Sequence, residues 1–178
     1  MTANLTAIFR AGSVRRWHAN PDLCHTVDRV DGHAARVARI ILAMHPAPSL
    51  ALVSAALQHD DGESVSGDVP ADAKRRDPFL SDRLHVIESA AIVALWGDKT
   101  AISLSVEERI WLKFADRLDA FMWASEHAPE IMGEVGWRND WKDIERRADA
   151  LGVEVGHLLP SPPAPRVSWL RRMLGEWL

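Results

Sequence analysis

Cysteine is almost absent from this 178-residue chain, and its absence excludes two kinds of site. Cys24 is the only cysteine, so the chain cannot form an internal disulfide or a zinc site built from several thiolates. A lone thiol is typical of proteins from a reducing compartment, and we therefore predict a cytoplasmic protein.

Long apolar runs, a leader-like N-terminus and an excess of positive charge are also missing. No apolar stretch approaches the ~20 residues that a membrane-spanning helix needs. Residues 1–4 do not combine a charged region with an apolar one, so we expect no secretory signal there. We also expect no membrane among the partners. The net charge of −4 argues against general binding of nucleic acid.

The amount of apolar sequence fits one globular domain. Hydrophobic residues make up 47% of the chain and charged residues 26%, and 178 residues suffice for a full core. No internal repeat or linker divides the sequence, so a single domain over 1–178 is predicted. Alternating strand patterns are nearly absent whereas helical spacing recurs, which predicts an all-α fold.

Capping residues and glycines place the boundaries of the predicted helices. Asp31 is a candidate N-cap for the second helix, Ser49 for the third, and Ser105 begins a capping box before the longest one. The predicted helices run over 4–11, 32–44, 50–57, 81–96, 106–125, 141–151 and 169–178. The segment 131–137 is predicted to be irregular, and the terminal helix is expected to dock on the body or to supply a dimer contact.

An adjacent His-Asp pair ends the apolar helical run 50–57 and marks the candidate site. His59 and Asp60 are followed by an acidic, glycine-containing segment that ends at Pro70. A carboxylate buried there is costly unless it is paired or binds a metal, and imidazole with carboxylate suits Zn, Mn, Fe, Co or Ni. The alternative is a solvated helix C-terminus with a histidine near the negative end of the helix dipole, and the pair alone does not decide between the two.

Two more polar side chains lie at inward positions of predicted helices. His33 lies four residues before Val37 and shares the apolar face of its helix, where a lone histidine is usually an ordinary core residue. Asp116 lies on an apolar stripe of a later helix, where its charge needs compensation. Lys113, one turn earlier, would compensate it without any metal, and Asp119 is the competing candidate on that helix.

Cations lie near both ends of this region. Arg16 and Trp17 form a candidate platform for an anionic, planar ligand, with guanidinium for phosphate and indole for stacking. On local sequence alone, the favoured interpretation is a core tryptophan beside solvated arginines. The cationic triplet 74–76 is typical of a solvated turn, but near a metal site it would hold phosphates.

The order of these residues resembles the HD-domain superfamily of metal-dependent phosphohydrolases, over about residues 16–120. Within that superfamily the pattern is most similar to bacterial 5′-deoxynucleotidases and small phage deoxynucleoside triphosphohydrolases. The shared positions read Arg16-Trp17, His33, His59-Asp60, Glu63, Gly67-Asp68-Val69-Pro70, Lys74 and Lys113-Phe114-Ala115-Asp116. One departure is that the family's Glu-His-Ser reads Gly32-His33-Ala34, which removes polar neighbours of the first ligand.

The resemblance implies an HD-domain helical bundle with its metal-site core at about 16–120 and C-terminal helices at 138–178. It implies that one divalent metal (Co, Mn, Zn, Ni or Mg) is bound by His33, His59, Asp60 and Asp116. Substrate phosphate would be bound by Arg16, Lys74 and Lys113, and Trp17 would lie against the sugar and exclude a ribose 2′-hydroxyl. Glu63 would act as general base or position the water, and Asp68 would assist the leaving group or hold Arg16.

The activity implied by the resemblance is removal of phosphate from a 2′-deoxynucleotide, in the cytoplasm or in a host cytoplasm if a phage encodes the chain. A triphosphohydrolase acting on a dNTP, with dATP as one candidate, is slightly favoured because a triphosphate needs more counter-cations. A 5′-deoxynucleotidase acting on dNMPs is the close alternative. A catalytically inactive nucleotide-sensing module and a signalling phosphodiesterase are the others. The expected partner is a small-molecule deoxynucleotide, and both the family and the terminal helix suggest a homo-oligomer.

Overall fold

A computed structural model describes residues 2–100 and 103–156 of the chain. These residues form eight α-helices and no β-sheet, so the all-α prediction is confirmed for them; a single backbone bridge joins Arg15 and Arg29. The helices are α1 (Leu5–Ala11), α2 (Val30–Met44), α3 (Leu50–Gln58), α4 (Glu63–Ser66), α5 (Ala71–Arg76), α6 (Pro78–Trp96), α7 (Val106–His127) and α8 (Val135–Leu151). The helix predicted over 169–178 lies outside the described residues.

The core is built where α2, α3, α7 and α8 pack together, with α7 in contact with the other three. The stripe predicted for α2 is buried, since Val37 and Ile41 are fully inaccessible to solvent. Phe114 and Phe121 on α7 are buried as well, and Phe121 packs against Trp141 of α8 with ring centroids 5.0 Å apart. Each such side chain stabilises the fold by roughly 1.5–3 kcal/mol, so the body that carries the candidate site is firmly anchored.

A second group of helices covers one side of this core. The short helices α4 and α5, together with α1, pack against the longer α6. The candidate site therefore lies between the main bundle, which provides α2, α3 and α7, and the short helices that follow the His-Asp pair.

Several predicted boundaries are confirmed. The Ser49 side chain accepts a hydrogen bond from the Leu52 N–H, and Ser105 forms the predicted capping box with Glu108. Gly97 and Gly152 follow the last residues of α6 and α8, both with positive φ, which favours glycine.

Other boundaries were wrong. Helix α2 begins at Val30, so Asp31 lies in its first turn instead of at its cap; a carboxylate there still interacts favourably with the helix dipole. Helix α6 begins at Pro78, three residues earlier than predicted, because Asp77 caps it through the Leu80 N–H and proline suits a first helical position. Helix α8 begins at Val135, directly after a 3₁₀ turn over Pro129–Gly133, so the segment 131–137 is more regular than predicted.

Gly62 holds the turn after the His-Asp pair against α6. A β-carbon added at Gly62 would lie 2.5 Å from the backbone oxygen of Glu88, closer than atoms tolerate. We therefore expect Gly62→Ala to lower the free energy of unfolding by about 1–3 kcal/mol, as overpacking usually does. Thermal or denaturant unfolding measures this change.

Gly136→Ala is the matched control for this prediction. Gly136 lies in α8, and a β-carbon added there would meet nothing within 4 Å. Alanine is a better helix former than glycine, so we expect the stability to stay the same or to rise by up to about 1 kcal/mol. Equal effects of the two substitutions would contradict the close contact between the turn and α6.

Candidate metal centre

His33, His59 and Asp60 form a group that can hold a metal ion. One ligand atom from each of the three lies within 4.8 Å of the others. The Nε2 atoms of the two histidines are 3.2 Å apart, and Asp60 Oδ2 lies 3.3 Å from His33 Nε2 and 3.4 Å from His59 Nε2. His33 comes from the start of α2 and is fully buried, whereas His59 and Asp60 follow the end of α3.

The two ring systems are held so that both Nε2 atoms face the same point. His33 Nδ1 lies 2.6 Å from Asp119 Oδ2, and His59 Nδ1 lies 2.9 Å from the backbone oxygen of Ala56. Because these oxygens accept, the Nδ1 positions carry the protons in the neutral rings, and the Nε2 lone pairs are left facing each other beside Asp60. A cation can be held between these atoms, and the donor set fits a divalent metal.

The carboxylates around His33 favour positive charge at this position. Burial alone would lower the pKa of His33, but hydrogen bonds with Asp116, Asp119 and Asp60 raise the pKa well above its ordinary value. For Asp60, burial would raise the pKa, and His59 and His33 lower the pKa below its ordinary value instead. A bound cation would replace the proton that this cluster otherwise attracts.

Asp116 lies at the edge of this group. Its Oδ1 is 3.4 Å from His33 Nε2, and its Oδ2 accepts a hydrogen bond of 2.7 Å from Lys113 Nζ. Burial would raise the pKa of Asp116, but Lys113 and His33 lower the pKa well below its ordinary value. The predicted pair with Lys113 is thus present, and Asp116 also lies beside His33, although the group of three that can hold a metal does not include it.

A buried ionic network supports His33 from the side opposite the metal group. Arg36 Nε donates to Asp119 Oδ1 at 2.6 Å, and its Nη2 donates to Asp28 Oδ1 at 2.9 Å. Asp28 and Asp119 are 1% and 2% exposed, so both carboxylates are shielded from solvent, whereas the Arg36 side chain is 31% exposed. Asp119 therefore orients His33 in this structure, and it supplies the polar neighbour that the residues adjacent to His33 lack.

Sequence reasoning missed two members of this network. Arg36 lies one turn after His33 on α2, a spacing that places both side chains on one face and is a usable signal. Asp28 lies in the loop before α2, and no local pattern singles it out, because its partners come from distant parts of the chain.

The segment with Arg16 and Trp17 is tied to the same network. Arg16 is 9% exposed, and its Nη1 lies 3.0 Å from Asp28 Oδ2. Trp17 Nε1 donates to the same oxygen at 3.1 Å, while the Trp17 backbone N–H donates to Asp68 Oδ2 at 2.9 Å. The φ of Trp17 is 64°, a left-handed conformation that costs energy for a bulky residue. Asp68 thus fixes this segment by accepting a hydrogen bond from the backbone of Trp17, next to Arg16.

Glu63 is a buried carboxyl group close to the metal group. Its side chain is 7% exposed, Oε1 lies 4.0 Å from Lys74 Nζ, and Oε2 has no hydrogen-bond partner among the described residues. Burial, and then the charges of Asp60 and Asp68, raise the pKa of Glu63 to about 9. A desolvated carboxyl group with a strongly raised pKa is typical of a catalytic acid or base.

A cleft of about 960 Å³ lies beside the candidate metal centre, with Arg16, Asp60 and Glu63 in its lining. It is within the size range of small-ligand sites. Eight of the ten site residues that the resemblance implies line it, namely Arg16, Trp17, Asp60, Glu63, Asp68, Lys74, Lys113 and Asp116, and His33 and His59 are not in its lining. Sequence reasoning missed Arg117 and Trp137, which also line the cleft; the ring of Trp137 lies 6.1 Å from that of Trp17.

Asp119→Asn tests whether the network positions His33. Asparagine keeps the size of the side chain but removes the charge that His33 and Arg36 contact, so we expect the affinity for a divalent metal to fall by about 10–100-fold. Asp143→Asn is the control, because Asp143 also pairs with two arginines, Arg146 and Arg147, but on the surface of α8. Metal titration by calorimetry measures both, and equal affinities for the two variants would contradict the positioning role.

Comparisons with known proteins give no assignment: no protein-family model matches the sequence, and no curated protein is significantly similar to it. No helix in the described part of the chain is long and apolar enough to cross a membrane.

Proposed function

We propose that this chain is an HD-domain, metal-dependent phosphohydrolase that removes phosphate from 2′-deoxynucleotides. The observation that carries the proposal is the convergence of two imidazole Nε2 atoms and a carboxylate within 4.8 Å, beside a cleft lined by cations. The substrate class comes from the resemblance in sequence. The order His33, His59-Asp60, Asp116, preceded by Arg16-Trp17, resembles enzymes that act on 2′-deoxynucleotides.

The proposed metal is held by His33, His59, Asp60 and Asp116. When bound, a divalent ion would polarise a phosphoryl oxygen and lower the pKa of a water molecule. The open side of the group faces the cleft, because Asp60 and Asp116 line it. Phosphate therefore reaches the group from the cleft.

The chain's own residues supply binding and proton transfer. Lys74 and Lys113 line the cleft near Glu63 and Asp116, and their ammonium groups bind phosphate oxygens. Arg16 adds positive charge at the cleft wall, although Asp28 holds its guanidinium. Glu63, once deprotonated in the field of the bound cation, orients the attacking water and accepts its proton.

Trp17 provides the proposed selection against ribonucleotides. Two hydrogen bonds fix it, one from its backbone N–H and one from its indole N–H, so the ring cannot turn away easily. A bulky ring fixed in this way excludes an additional hydroxyl at C2′ by its volume alone. The deoxyribose is therefore accepted and the ribose is rejected.

A panel of nucleotides with a panel of metals tests this function. We expect the full-length protein with Co²⁺ or Mn²⁺ to hydrolyse dNTPs, with little activity on rNTPs, and chromatography identifies the products. Cleavage of dNMPs with dNTPs untouched would replace the triphosphohydrolase by the 5′-deoxynucleotidase. Binding of nucleotides without turnover would indicate the sensing module. If the protein neither binds nor hydrolyses any nucleotide, the proposal is refuted.

A further inference from the structure

Two arginines meet at one carboxylate in the cleft, and the proposed function gives neither of them a role. Arg117 Nη1 lies 3.3 Å from Asp140 Oδ1, and Arg75 Nη1 lies 3.4 Å from the same oxygen. Arg75 comes from α5, Arg117 from α7 and Asp140 from α8, and all three line the cleft. We call these three residues the arginine pair and its carboxylate.

The guanidinium groups of Arg117 and Arg75 line the cleft beside Asp140. Both contact the same Asp140 oxygen, so these three side chains by themselves carry two positive charges and one negative charge. Their side chains are a quarter to a half exposed, with 25% for Arg117 and Asp140 and 48% for Arg75, so a ligand in the cleft can reach them. Arg117 also keeps a buried Nε donor without a hydrogen-bond partner among the described residues, so Asp140 does not satisfy it fully.

The position of Arg117 relates this group to the metal centre. Arg117 follows Asp116 directly and lies one helical turn after Lys113, so Lys113 and Arg117 share a face of α7. The cleft therefore places two cations in succession along α7 beside Asp116. A chain of phosphates that begins at the metal centre would extend along such a series, whereas a single phosphate would not.

We propose that Arg117 and Arg75 form a second anion subsite that binds the phosphates of a triphosphate beyond the one at the metal centre. The guanidinium groups exchange the Asp140 oxygen, or share it, with phosphate oxygens, for which their planar geometry is well suited. The identity of the ligand rests on the proposed function, and the subsite determines whether the substrate is a triphosphate or a monophosphate.

The alternative is that this group only ties α5, α7 and α8 together. The two roles differ in the effect of one substitution on anion binding. Asp140→Asn removes the carboxylate that competes with phosphate, so a subsite predicts a larger gain in affinity for tripolyphosphate than for orthophosphate. A purely structural role predicts lower stability and, for both anions, at most an equal and small electrostatic gain.

Binding of inorganic tripolyphosphate and orthophosphate to the metal-free, full-length protein tests the subsite without any turnover. We expect wild type to bind tripolyphosphate more tightly than orthophosphate. Arg117→Gln should weaken tripolyphosphate binding about tenfold or more, as loss of a charge-assisted hydrogen bond does, and leave orthophosphate within about twofold. Asp140→Asn should strengthen tripolyphosphate binding more than orthophosphate binding. Arg147→Gln is the control, because Arg147 is also paired with a carboxylate and is 22% exposed, but lies outside the cleft lining.

Three outcomes overturn the subsite. They are unchanged tripolyphosphate binding in Arg117→Gln, equal weakening of both phosphates, and no larger gain for tripolyphosphate than for orthophosphate in Asp140→Asn. Thermal unfolding of each variant reports whether it folds. If Arg117→Gln does not fold, the effect of Asp140→Asn on tripolyphosphate binding tests the subsite instead. If nucleotides are not hydrolysed although tripolyphosphate binding depends on Arg117, the proposed function fails while the subsite stands. In an active enzyme, Arg117→Gln raises the KM for dNTPs and leaves kcat unchanged.

Discussion

Asp60→Asn is expected to remove both metal binding and hydrolysis. Asparagine keeps the shape of the side chain but cannot supply the negative charge that faces His33 and His59 at 3.3 and 3.4 Å. Because a metal contributes several kcal/mol to the stabilisation of a phosphoryl transition state, we expect kcat/KM to fall by about 10³-fold or more. Metal content by elemental analysis and steady-state kinetics measure the two effects together.

Asp61→Asn is the matched control for this substitution. Asp61 is the neighbouring carboxylate and is buried, whereas Asp60 is half-buried, and it accepts a hydrogen bond of 2.7 Å from Trp96 Nε1 instead of facing the histidines. An asparagine oxygen preserves that bond, so we expect metal content and kcat/KM to stay within a few-fold of wild type. A loss in Asp61→Asn as large as that in Asp60→Asn would show that the effect arises from general disruption of the turn.

Glu63→Gln is expected to lower kcat by about 10²–10⁴-fold while the bound metal remains. Glutamine cannot accept a proton, and Glu63 is not a member of the group that can hold the metal. The cleft-lining Glu134 is the control, since Glu134→Gln removes the same charge from the exposed rim and should leave kcat within a few-fold. An unchanged kcat in Glu63→Gln would exclude Glu63 as the base.

Glu63→Gln is expected to lower kcat but to raise the stability of the metal-free protein at alkaline pH. Burial raises the pKa of Glu63 to about 9, so the folded, metal-free protein holds a proton that the unfolded chain releases above its ordinary pKa of about 4.5. Stability due to this group is therefore lost as the pH rises from about 4.5 to 9. Glutamine avoids the cost of ionisation, and we expect the Tm of metal-free Glu63→Gln to exceed that of wild type at pH 8.

Helical periodicity was sufficient to predict the inward position of His33 and the all-α class. The side chain of His33 is fully buried, as its place four residues before Val37 on the apolar face of α2 predicts. Periodicity could not decide between the two interpretations of Asp116, because one carboxylate can face a histidine and a lysine at once. Such a choice depends on the tertiary packing of α2 against α7.

The residues that the sequence did not reveal depend on contacts between distant segments. Asp28 is important because Arg16, Trp17 and Arg36 all donate to it, and only the folded chain brings these donors together. Trp137 was placed in an irregular segment, since the start of α8 lacks a side-chain cap that would have marked it. Membership of the HD-domain superfamily, the cytoplasmic location and the homo-oligomer stay predictions.

Titration of the metal-free, full-length protein with Co²⁺ or Mn²⁺ shows whether the side chains of the candidate metal centre bind a divalent metal. Calorimetry gives the stoichiometry for wild type, Asp60→Asn and His33→Ala. We expect one divalent ion per chain in wild type and loss of that ion in both variants. Absence of binding in wild type, or an unchanged stoichiometry and affinity in the variants, would contradict a metal centre formed by these side chains.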